Sequence, residues 1–569
     1  MEFQGFCVII ISMKTINESS EMEQKIQSLE TLTAKQAVQI AKLEVLIKYY
    51  EEQLLLAKRR QFGASSEQSP DQLRLENFFN EAEEQADPSL PEPTFEQVTY
   101  KRKKNIGKRA EDLAGLPVER IDYELPESER ICPECGEVMR DIGVSIRDEL
   151  EIIPARVIHK EHATHAYGCA KCEKNSDHTP IIKANSPAPM IAGSLASPSA
   201  VAHLACQKYV NGVPLYRQEK GFTYDSVVLS RQTMANWLIY CAQNYLAAIY
   251  ALMITFLLQE TVLHADETTV QVLHEPGRAA QTKSYEWLYR TSGCSDHPVV
   301  IYEYRETRKQ EYPKAFLKDF KGYLHTDGYQ AYHNLPPGII VVGCWFHARQ
   351  YWENLYKTIP EDKRGGSNAE RGLVYINLLF MFEDEFYDMT PEERYKKRLA
   401  YSKPVSDEFF AWVGSLCALP KSLLGEAVHY ALSQREYLEN IYLDGRLELS
   451  NNRAERSIKP FVQGRKQWLF SNTPNGAEAS SILYSIIETA KENHLHPFNY
   501  VKFLLEVLPN AKSNELESLL PWSESLPDCC RVTIKAVKNR PVKKRYKGSL
   551  HQALIKLRQR FSSPKPSNV

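Results

Sequence analysis

The sequence lacks a strong net charge, a long N-terminal apolar run and a dense cysteine framework. Its 569 residues carry a formal net charge of −2, so no overall positive field indicates a nucleic-acid partner. The apolar run at residues 8–11 is far shorter than the roughly 20 residues that span a bilayer, and we expect neither export nor a membrane span. The 12 cysteines are scattered apart from two Cys-x-x-Cys pairs and Cys529-Cys530, which fits a reducing compartment.

The composition that is present indicates a globular protein of several domains. Hydrophobic residues make up 43% and charged residues 25%, which excludes a wholly disordered chain. The length predicts roughly four domains. Charge is distributed unevenly, because no acidic residue follows Asp528 while eleven Lys and Arg residues lie between Arg531 and Arg560. This basic tail is either an arm that contacts DNA phosphates or a solvated surface segment.

Apolar residues recur with a period of 3.5 over residues 26–57, interrupted at Thr33 and Gln36. Eight of the ten heptad a and d positions are apolar, which predicts a coiled coil. We therefore expect a homo-oligomer, with a dimer as its simplest form. The alternative is a single amphipathic helix that packs on its own domain.

Two Cys-x-x-Cys turns predict a tetrahedral zinc site, because each turn can aim two thiolates at one point. Uncomplexed or redox-active thiols are the alternative. The predicted zinc ligands are Cys132, Cys135, Cys169 and Cys172.

Residues 187–260 have a helical pattern. Ser197 followed by Pro198 predicts a capped helix start. Residues 229–237 have the turn and capped helix of a helix-turn-helix DNA reader, which makes Arg231 a candidate DNA contact. An ordinary helical hairpin would give the same pattern.

Five segments rich in β-branched and aromatic residues predict strands, with a short helix at residues 314–320 between the third and the fourth. The order of three strands, a helix and a fourth strand is that of a ribonuclease-H-like α/β core. The helical pattern of residues 349–447 would then be an insertion in this catalytic domain. The predicted strands are residues 261–272, 285–291, 299–304, 322–326 and 338–342.

Three acidic residues stand where such a core gathers carboxylates. Asp266 lies within the first predicted strand, Asp327 follows the fourth, and Glu455 lies near the start of a later helix. Mg²⁺ prefers carboxylate oxygens, and two such ions can activate a water and stabilise the leaving oxygen in phosphodiester chemistry. The sequence therefore predicts a two-metal site.

The third carboxylate has alternatives. Asn452 and Glu455 have the spacing of a capping box, which would give Glu455 a purely structural role. Glu478 or Glu488 on the next predicted helix could supply the carboxylate instead. Nearby cations are candidate phosphate contacts, although a solvated helix face is the default for each. These cations are Arg456, Lys459 and Arg465.

Four motifs together resemble the DDE transposases of the insertion sequence 66 family. They are LHADET at residues 263–268, LHTDGY at 324–329, GCWFHAR at 343–349 and NNRAER at 451–456. The heptads, the paired Cys-x-x-Cys turns and LLPW at residues 519–522 resemble that family's leucine zipper, zinc-binding domain and C-terminal motif. The likeness covers nearly the whole chain.

The resemblance implies that Asp266, Asp327 and Glu455 form the catalytic triad and hold two Mg²⁺ ions per active site, with Mn²⁺ able to substitute. It also implies a structural Zn²⁺, DNA partners in the form of transposon ends and target, and element-encoded accessory proteins. The expected location is the bacterial cytoplasm, in association with the nucleoid. Cys344 and His347 form a Cys-x-x-His pair of a kind seen after the second aspartate in several transposase groups, with a structural brace as the simplest role.

We therefore expect a transposase of a bacterial insertion sequence that binds element ends and catalyses metal-dependent DNA strand cleavage and strand transfer. The alternatives are a ribonuclease-H-fold nuclease or resolvase that does not join strands, and a non-enzymatic zinc-dependent DNA-binding regulator. The predicted domains are an N-terminal tail (residues 1–22), a coiled coil or leucine zipper (23–62), a linker (63–125), a zinc-binding domain (126–180), a helical, helix-turn-helix-like DNA-binding region (187–260), a DDE catalytic domain (261–505) and a basic C-terminal region (506–569).

The zinc site should be structural, because four thiolates leave no open position for water or substrate. Replacing Cys135 by Ser should remove one equivalent of zinc per chain and weaken binding to DNA ends, without altering the metal chemistry at Asp266. Elemental analysis of the purified protein measures the first effect. Correctly folded protein that contains no zinc would contradict the assignment.

Overall fold

The computed structural model describes residues 25–37, 39, 40, 43, 47, 157–168, 181–185 and 188–532. The chain divides into two units, residues 1–60 with 157–569 and residues 61–156, and every described residue belongs to the first unit. The four predicted zinc ligands, the predicted linker and the basic tail after residue 532 lie outside the described residues.

The described start of the predicted coiled coil is helical over residues 25–37. Ile26 and Leu29, which occupy its first a and d positions, are 51% and 58% exposed. An exposed apolar stripe of this kind is what a coiled-coil seam presents before it pairs. Pairing between chains stays a prediction.

A small antiparallel sheet lies within the predicted zinc-binding domain. Its strands are β1 (Ala166–Gly168) and β2 (Ile181–Lys183), with Tyr167 opposite Ile182. The second predicted Cys-x-x-Cys pair belongs to the connection between them, which is outside the described residues. The hairpin therefore holds the two ends of that connection together.

The predicted helical region contains four α-helices. Ser197 caps the first, where its side chain accepts a hydrogen bond from the Ala200 amide, as Ser197-Pro198 predicted. Ser230 caps the third in the same way, through the Thr233 amide. The helices are α1 (Pro198–Tyr209), α2 (Leu215–Tyr224), α3 (Arg231–Cys241) and α4 (Ala247–Gln259).

A π-helical turn (Ala242–Leu246) joins α3 to α4 in one continuous helix, Arg231–Gln259. Within the described part of the chain this is the one helix long and apolar enough to cross a membrane by length and composition alone. Ile249, Met253 and Leu257 form a fully buried stripe on α4. Tyr250 also donates a hydrogen bond of 2.8 Å to the carbonyl of Tyr302 in the central sheet, as expected of a helix in a protein core.

A five-stranded mixed sheet lies at the centre of the described fold. Across the sheet the order is β5-β4-β3-β6-β7. Strand β4 is antiparallel to both β3 and β5, β6 runs parallel to β3, and β7 runs parallel to β6. All five strands lie within two residues of their predicted bounds. The strands are β3 (Val262–Gln271), β4 (Lys283–Thr291), β5 (Val300–Arg305), β6 (Gly322–His325) and β7 (Ile339–Val342).

The predicted helix between the third and fourth strands is displaced by about one turn. The structure has α5 at Glu311–Phe316, not at residues 314–320. Pro313 lies in its first turn, where a proline is tolerated because that amide has no helical partner in any case. The sequence prediction placed the helix after this proline.

A helical insertion of the predicted kind follows β7. Its core is aromatic, with Trp345, Trp352, Phe409 and Trp412 buried against one another. The helices are α6 (Trp345–Thr358), α7 (Asn368–Glu385), α8 (Pro391–Lys397), α9 (Lys403–Gly414), α10 (Leu423–Ser433) and α11 (Arg435–Glu439), with a π-helical turn (Arg398–Ser402) between α8 and α9.

Three helices follow the insertion: α12 (Asn452–Trp468), α13 (Pro474–Glu492) and α14 (Pro497–Val507). Beyond them the chain returns to the helical region, where Trp522 of the LLPW motif packs edge-on against Phe256 of α4 and stacks on His297. The C-terminal motif is therefore part of the described core.

Both edges of the sheet are covered. On β5, the amides of Val300 and Tyr302 donate to the hydroxyl groups of Thr489 and Ser485 on α13, at 3.0 and 2.8 Å. On β7, the Val341 carbonyl accepts a hydrogen bond of 2.7 Å from the side chain of Asn440. Covered edges leave no unpaired backbone row for another strand to join.

The two ends of the insertion meet at the sheet. The Trp345 amide donates to the Leu449 carbonyl at 3.0 Å, and the Asn451 amide donates to the sulfur of Cys344 at 3.1 Å. The side chain of Asn451 is fully buried and donates to the Ala265 carbonyl of β3 at 2.8 Å. Asn451 thus connects β3, the start of α6 and the start of α12.

Replacing Asn451 by Ala should lower the free energy of unfolding by about 2–4 kcal/mol, because it leaves buried polar partners without hydrogen bonds. Urea denaturation measures the shift. Asn452→Ala is the matched control, since the Asn452 side-chain oxygen has no hydrogen-bond partner among the described residues. Equal losses in the two variants would contradict a bridging role for Asn451.

Candidate active site

The strand registers place two predicted acids and one cysteine at a single level of the sheet. His264 of β3 pairs with His325 of β6, and the parallel pairing continues to β7. Asp266 lies two residues after His264, and Asp327 lies two residues after His325. Cys344 occupies the equivalent position after β7. Because alternate residues of a strand share a face, Asp266 lies on the same face as His264.

Backbone amides fix the carboxylates of Asp266 and Asp327. The Glu267 amide donates to Asp266 Oδ1, and the Tyr329 amide donates to Asp327 Oδ1, each at 2.9 Å. The turn after Asp327 requires Gly328, whose φ of +93° is strained for any residue with a Cβ. This explains the glycine of the LHTDGY motif.

The helical insertion supports the same turn. Tyr430 of α10 donates a hydrogen bond of 3.0 Å to the Asp327 carbonyl. A Cβ on Gly328 would meet side-chain atoms of Tyr430 and Gln434 at 3.0–3.2 Å, so the insertion packs closely on this loop. The insertion therefore positions the second acid as well as enlarging the domain.

Glu455 reaches the site from the first turn of α12. The capping box that would have given it a structural role is not formed, because the N-cap is Asn451 and makes no side-chain cap bond. Glu455 Oε1 is buried and has no hydrogen-bond partner among the described residues. His347 Nε2 lies 3.7 Å from Glu455 Oε1, and the two form an ion pair only when the imidazole is protonated.

Electrostatics show that the three acids converge. Burial, and then the negative charges of Glu267, Asp327 and Glu455, raise the pKa of Asp266 well above its ordinary value. Burial, and then Asp327, raise the pKa of Glu267 to about 7, against the opposing effect of Arg308. Buried carboxylates whose pKa values are raised by neighbouring negative charges are typical of sites that receive cations.

The two alternative third acids lie elsewhere. Glu478 is exposed on α13. Glu488 is buried but forms an ion pair with Lys491 on the same helix, at 2.9 Å. Neither is among the charges that raise the pKa of Asp266, whereas Glu455 is.

A buried polar layer lies on the Asp266 face of the sheet. The rings of His264 and His325 stack with centroids 4.4 Å apart, and burial holds the pKa of His325 well below its ordinary value. Asn451 Oδ1 lies 3.0 Å from His264 Nδ1, and the Glu448 amide donates to His325 Nε2 at 3.2 Å. These contacts connect the two aspartate strands to the segment that leads into α12.

The candidate DNA contacts differ in their surroundings. Arg456 is exposed beside Glu455 on α12, and Lys459 is partly exposed one turn further. Arg231 is 63% exposed at the start of α3, with Glu219 at 3.9 Å. Arg465, in contrast, donates to Thr268 and Thr269 and so braces α12 against β3. A phosphate contact from Arg465 stays a prediction.

Sequence reasoning missed two groups in this site. Glu267 is almost fully buried, and its carboxylate accepts hydrogen bonds from Arg308 and, at 2.7 Å, from Tyr332. Asn451 is the buried bridge between β3 and α12. Glu267 is adjacent to Asp266 in the LHADET motif, but no local signal could have identified its partners.

Four family models match successive parts of the chain. The model described as "Transposase IS66 family" matches residues 193–479, which is half of the chain, and "IS66 C-terminal element" matches residues 485–522. "Zinc-finger binding domain of transposase IS66" matches residues 129–173, which include all four predicted zinc ligands. "Transposase C of IS166 homeodomain" matches residues 49–121, which cover the end of the heptads and most of the predicted linker.

Similar proteins extend the likeness over most of the chain. An uncharacterized protein of Sinorhizobium fredii, y4qI, is 29% identical over 430 residues, which are 71% of this chain and 76% of the relative. A second one from the same organism, y4jD, is 27% identical over 432 residues, or 73% of this chain and 82% of the relative. With half of its length matched by the transposase model and its flanks matched by the companion models, the chain belongs to the IS66 transposase family.

Proposed function

We propose that this protein binds the ends of an insertion sequence and catalyses metal-dependent DNA strand cleavage and strand transfer. The observation that carries the proposal is the convergence of Asp266, Asp327 and Glu455, whose charges act on one another in a largely buried site. The family supplies the substrate class, since a transposase acts on DNA. A regulator without enzymatic activity would have no use for this costly arrangement of acids.

The strand order supports a ribonuclease-H-like core. Numbered within the sheet, the strands are arranged third, second, first, fourth and fifth, with the first three antiparallel and the last two parallel to the first. Asp266 is on the first of these strands and Asp327 directly follows the fourth. In this arrangement the two acids are neighbours without any need for a long loop.

The donor set fits hard divalent cations. Three carboxylates are present, and burial, followed by the charges of neighbouring acids that include Asp327 and Glu455, raises the pKa of Asp266. Glu455 Oε1 is buried without a hydrogen-bond partner among the described residues. Mg²⁺ binds such oxygens, and Mn²⁺ accepts the same ligands. When bound, a pair of these ions would supply an activated water or 3′-hydroxyl and stabilise the leaving oxygen.

The chain's own residues would hold and orient this chemistry. Asp266 and Asp327 are each fixed by a backbone amide, so little ordering remains to be done when cations bind. Glu455 is set by the start of α12, which Asn451 ties to β3. The exposed Arg456 and the nearby Lys459 are suited to DNA phosphates at the rim of the site.

The remaining parts would recognise DNA and bring two ends together. We infer that the zinc-binding domain, the region of α2 and α3 with Arg231, and the basic tail contact DNA, while the coiled coil pairs two chains. Element-encoded accessory proteins are further expected partners. Such a protein would act in the bacterial cytoplasm on nucleoid DNA.

Replacing Asp266 or Asp327 by Asn should abolish cleavage and joining, because a neutral amide is a poorer ligand and cannot hold two cations close together. We expect the cleavage rate to fall by well over about 100-fold, because about 100-fold is the upper range for removing a residue that only supports a metal ligand. DNA binding should survive, since removing a negative charge does not weaken contact with phosphates. Labelled element ends incubated with Mg²⁺ report both reactions.

Glu455→Gln tests the third acid. It should lose activity as completely as the aspartate variants, whereas Glu478→Gln and Glu488→Gln, on α13, serve as matched controls that retain it. Cleavage by Asp266→Asn at the wild-type rate would refute the active site. If only Glu488→Gln lost cleavage activity, the third acid would be Glu488 on α13 and not Glu455.

Without added Mg²⁺, Asp266→Asn should be more stable than the wild type at pH 8, because burial and the neighbouring negative charges disfavour the ionised carboxylate of Asp266. The raised pKa of Asp266 means that its favourable protonated form is lost as the pH rises, and Asn mimics that form. The difference should therefore shrink towards pH 5. Thermal melting measures it, with the exposed Asp319→Asn as the control.

Mg²⁺ should stabilise the wild type more than the variant. It should raise the melting temperature of the wild type more than that of Asp266→Asn, because a ligand that binds only the folded state stabilises it. An Asp266→Asn variant that is less stable than the wild type at pH 8 without Mg²⁺ would contradict the electrostatic argument.

A further inference from the structure

A second group of metal-ligating side chains shares Glu455 with the proposed Mg²⁺ site. The sulfur of Cys344, a ring nitrogen of His347 and a carboxylate oxygen of Glu455 all lie within 4.8 Å of one another. The proposed catalytic chemistry uses only the glutamate of this trio. Cys344 and His347 therefore need an explanation of their own.

Local structure directs Cys344 and His347 towards the same point. Cys344 is the N-cap of α6, and His347 lies in the first turn, three residues later. Side chains three residues apart at a helix start lie on the same face. The GCWFHAR motif thus provides a thiol and an imidazole from one short segment.

The Cys344 sulfur lies in a buried setting where a metal ion would have to displace the thiol proton. Cys344 is fully buried, and burial, followed by the negative charge of Glu455, raises the pKa of its thiol to about 12. The sulfur accepts a hydrogen bond of 3.1 Å from the Asn451 amide. Such outer partners orient the ligands of metal sites.

The third ligand arrives from α12. Glu455 Oε1 is buried without a hydrogen-bond partner among the described residues, and it lies 3.7 Å from His347 Nε2. That separation is too long for a direct hydrogen bond. It matches two ligands of one tetrahedral ion, which lie about 3.3–3.8 Å apart when each is about 2.0–2.3 Å from the metal.

We propose that Cys344, His347 and Glu455 form a site for a zinc-class transition ion, separate from the four-cysteine zinc site. One thiolate, one imidazole and one carboxylate leave a fourth position for water, as in zinc sites that exchange a ligand. Sulfur and imidazole ligands favour zinc over Mg²⁺. On binding, the Cys344 thiol exchanges its proton for the metal ion, and the proton passes to solvent.

The shared glutamate gives this site a regulatory consequence, which rests on the proposed function. An ion held by Cys344 and His347 engages the Glu455 oxygen and withdraws it from Asp266 and Asp327. Zinc-class ions should therefore inhibit Mg²⁺-supported cleavage. Binding of the ion itself does not depend on the proposed function.

Metal content of the full-length protein tests the site directly. After equilibration with Zn²⁺ and desalting, the wild type should hold one equivalent more than Cys344→Ser, with the exposed Cys417→Ser as the matched control that keeps the wild-type content. His347→Gln should lose the same equivalent and serves as the second variant if Cys344→Ser is poorly folded. Melting curves establish which variants are folded.

A spectroscopic readout identifies the ligands. Loaded with ¹¹³Cd²⁺, the wild type should show two resonances, one typical of four sulfur ligands and one typical of mixed sulfur, nitrogen and oxygen ligands. Folded Cys344→Ser and His347→Gln should each lose only the second. Equal metal content in the wild type and both folded variants, with one resonance throughout, would overturn the proposal.

Cleavage assays then separate this proposal from the proposed function. Zn²⁺ is titrated at a fixed Mg²⁺ concentration, and the cleavage rate of each protein is expressed relative to its own rate without Zn²⁺. The Zn²⁺ concentration that halves cleavage should be at least about tenfold lower for the wild type than for Cys344→Ser. Equal sensitivity would refute the shared-glutamate mechanism. A wild type that never cleaves DNA would refute the proposed function instead, while the metal content still decides the site.

Discussion

The geometry of the whole site depends on the buried amide of Asn451. Its side chain donates to the Ala265 carbonyl, next to Asp266, and lies in hydrogen-bond contact with His264, while its backbone amide donates to the sulfur of Cys344. One residue therefore joins β3, the start of the insertion and the start of the helix that carries Glu455. In a buried site these hydrogen bonds are strong, and leaving any partner unpaired is costly.

This rigid connection explains how the fold tolerates a group of like charges. Burial and mutual repulsion raise the pKa of Asp266, and Glu267 is stabilised only in part by Arg308 and Tyr332. Holding these like charges together costs free energy of folding. This cost is offset by the packing of the sheet, whose two edges are covered, and by the insertion that packs on Gly328. The acids are consequently held close to one another and only partly exposed before any cation arrives, which favours tight binding of divalent ions.

Elements with a strong local signal were predictable, and their bounds were less so. The β-branched runs gave all five strands, whereas the helix predicted at residues 314–320 begins three residues earlier, with Pro313 in its first turn. The prediction of a phosphate contact at Arg465 had only the charge of that residue as support, and the structure adds that Arg465 also donates hydrogen bonds to Thr268 and Thr269 of β3. Glu455 could be a cap or a ligand until the position of the helix start excluded the cap.

The sequence by itself determined the strands, the family motifs, the paired cysteines and the two aspartates, because each depends on neighbours within a few positions. Only the tertiary structure decided that Glu455 approaches those aspartates, that Cys344 and His347 lie beside it, and that Asn451 joins β3 to the starts of α6 and α12. The contact between His264 and Asn451 spans 187 positions along the chain. No local pattern encodes such a contact, since it exists only once the insertion has folded and returned α12 to the sheet.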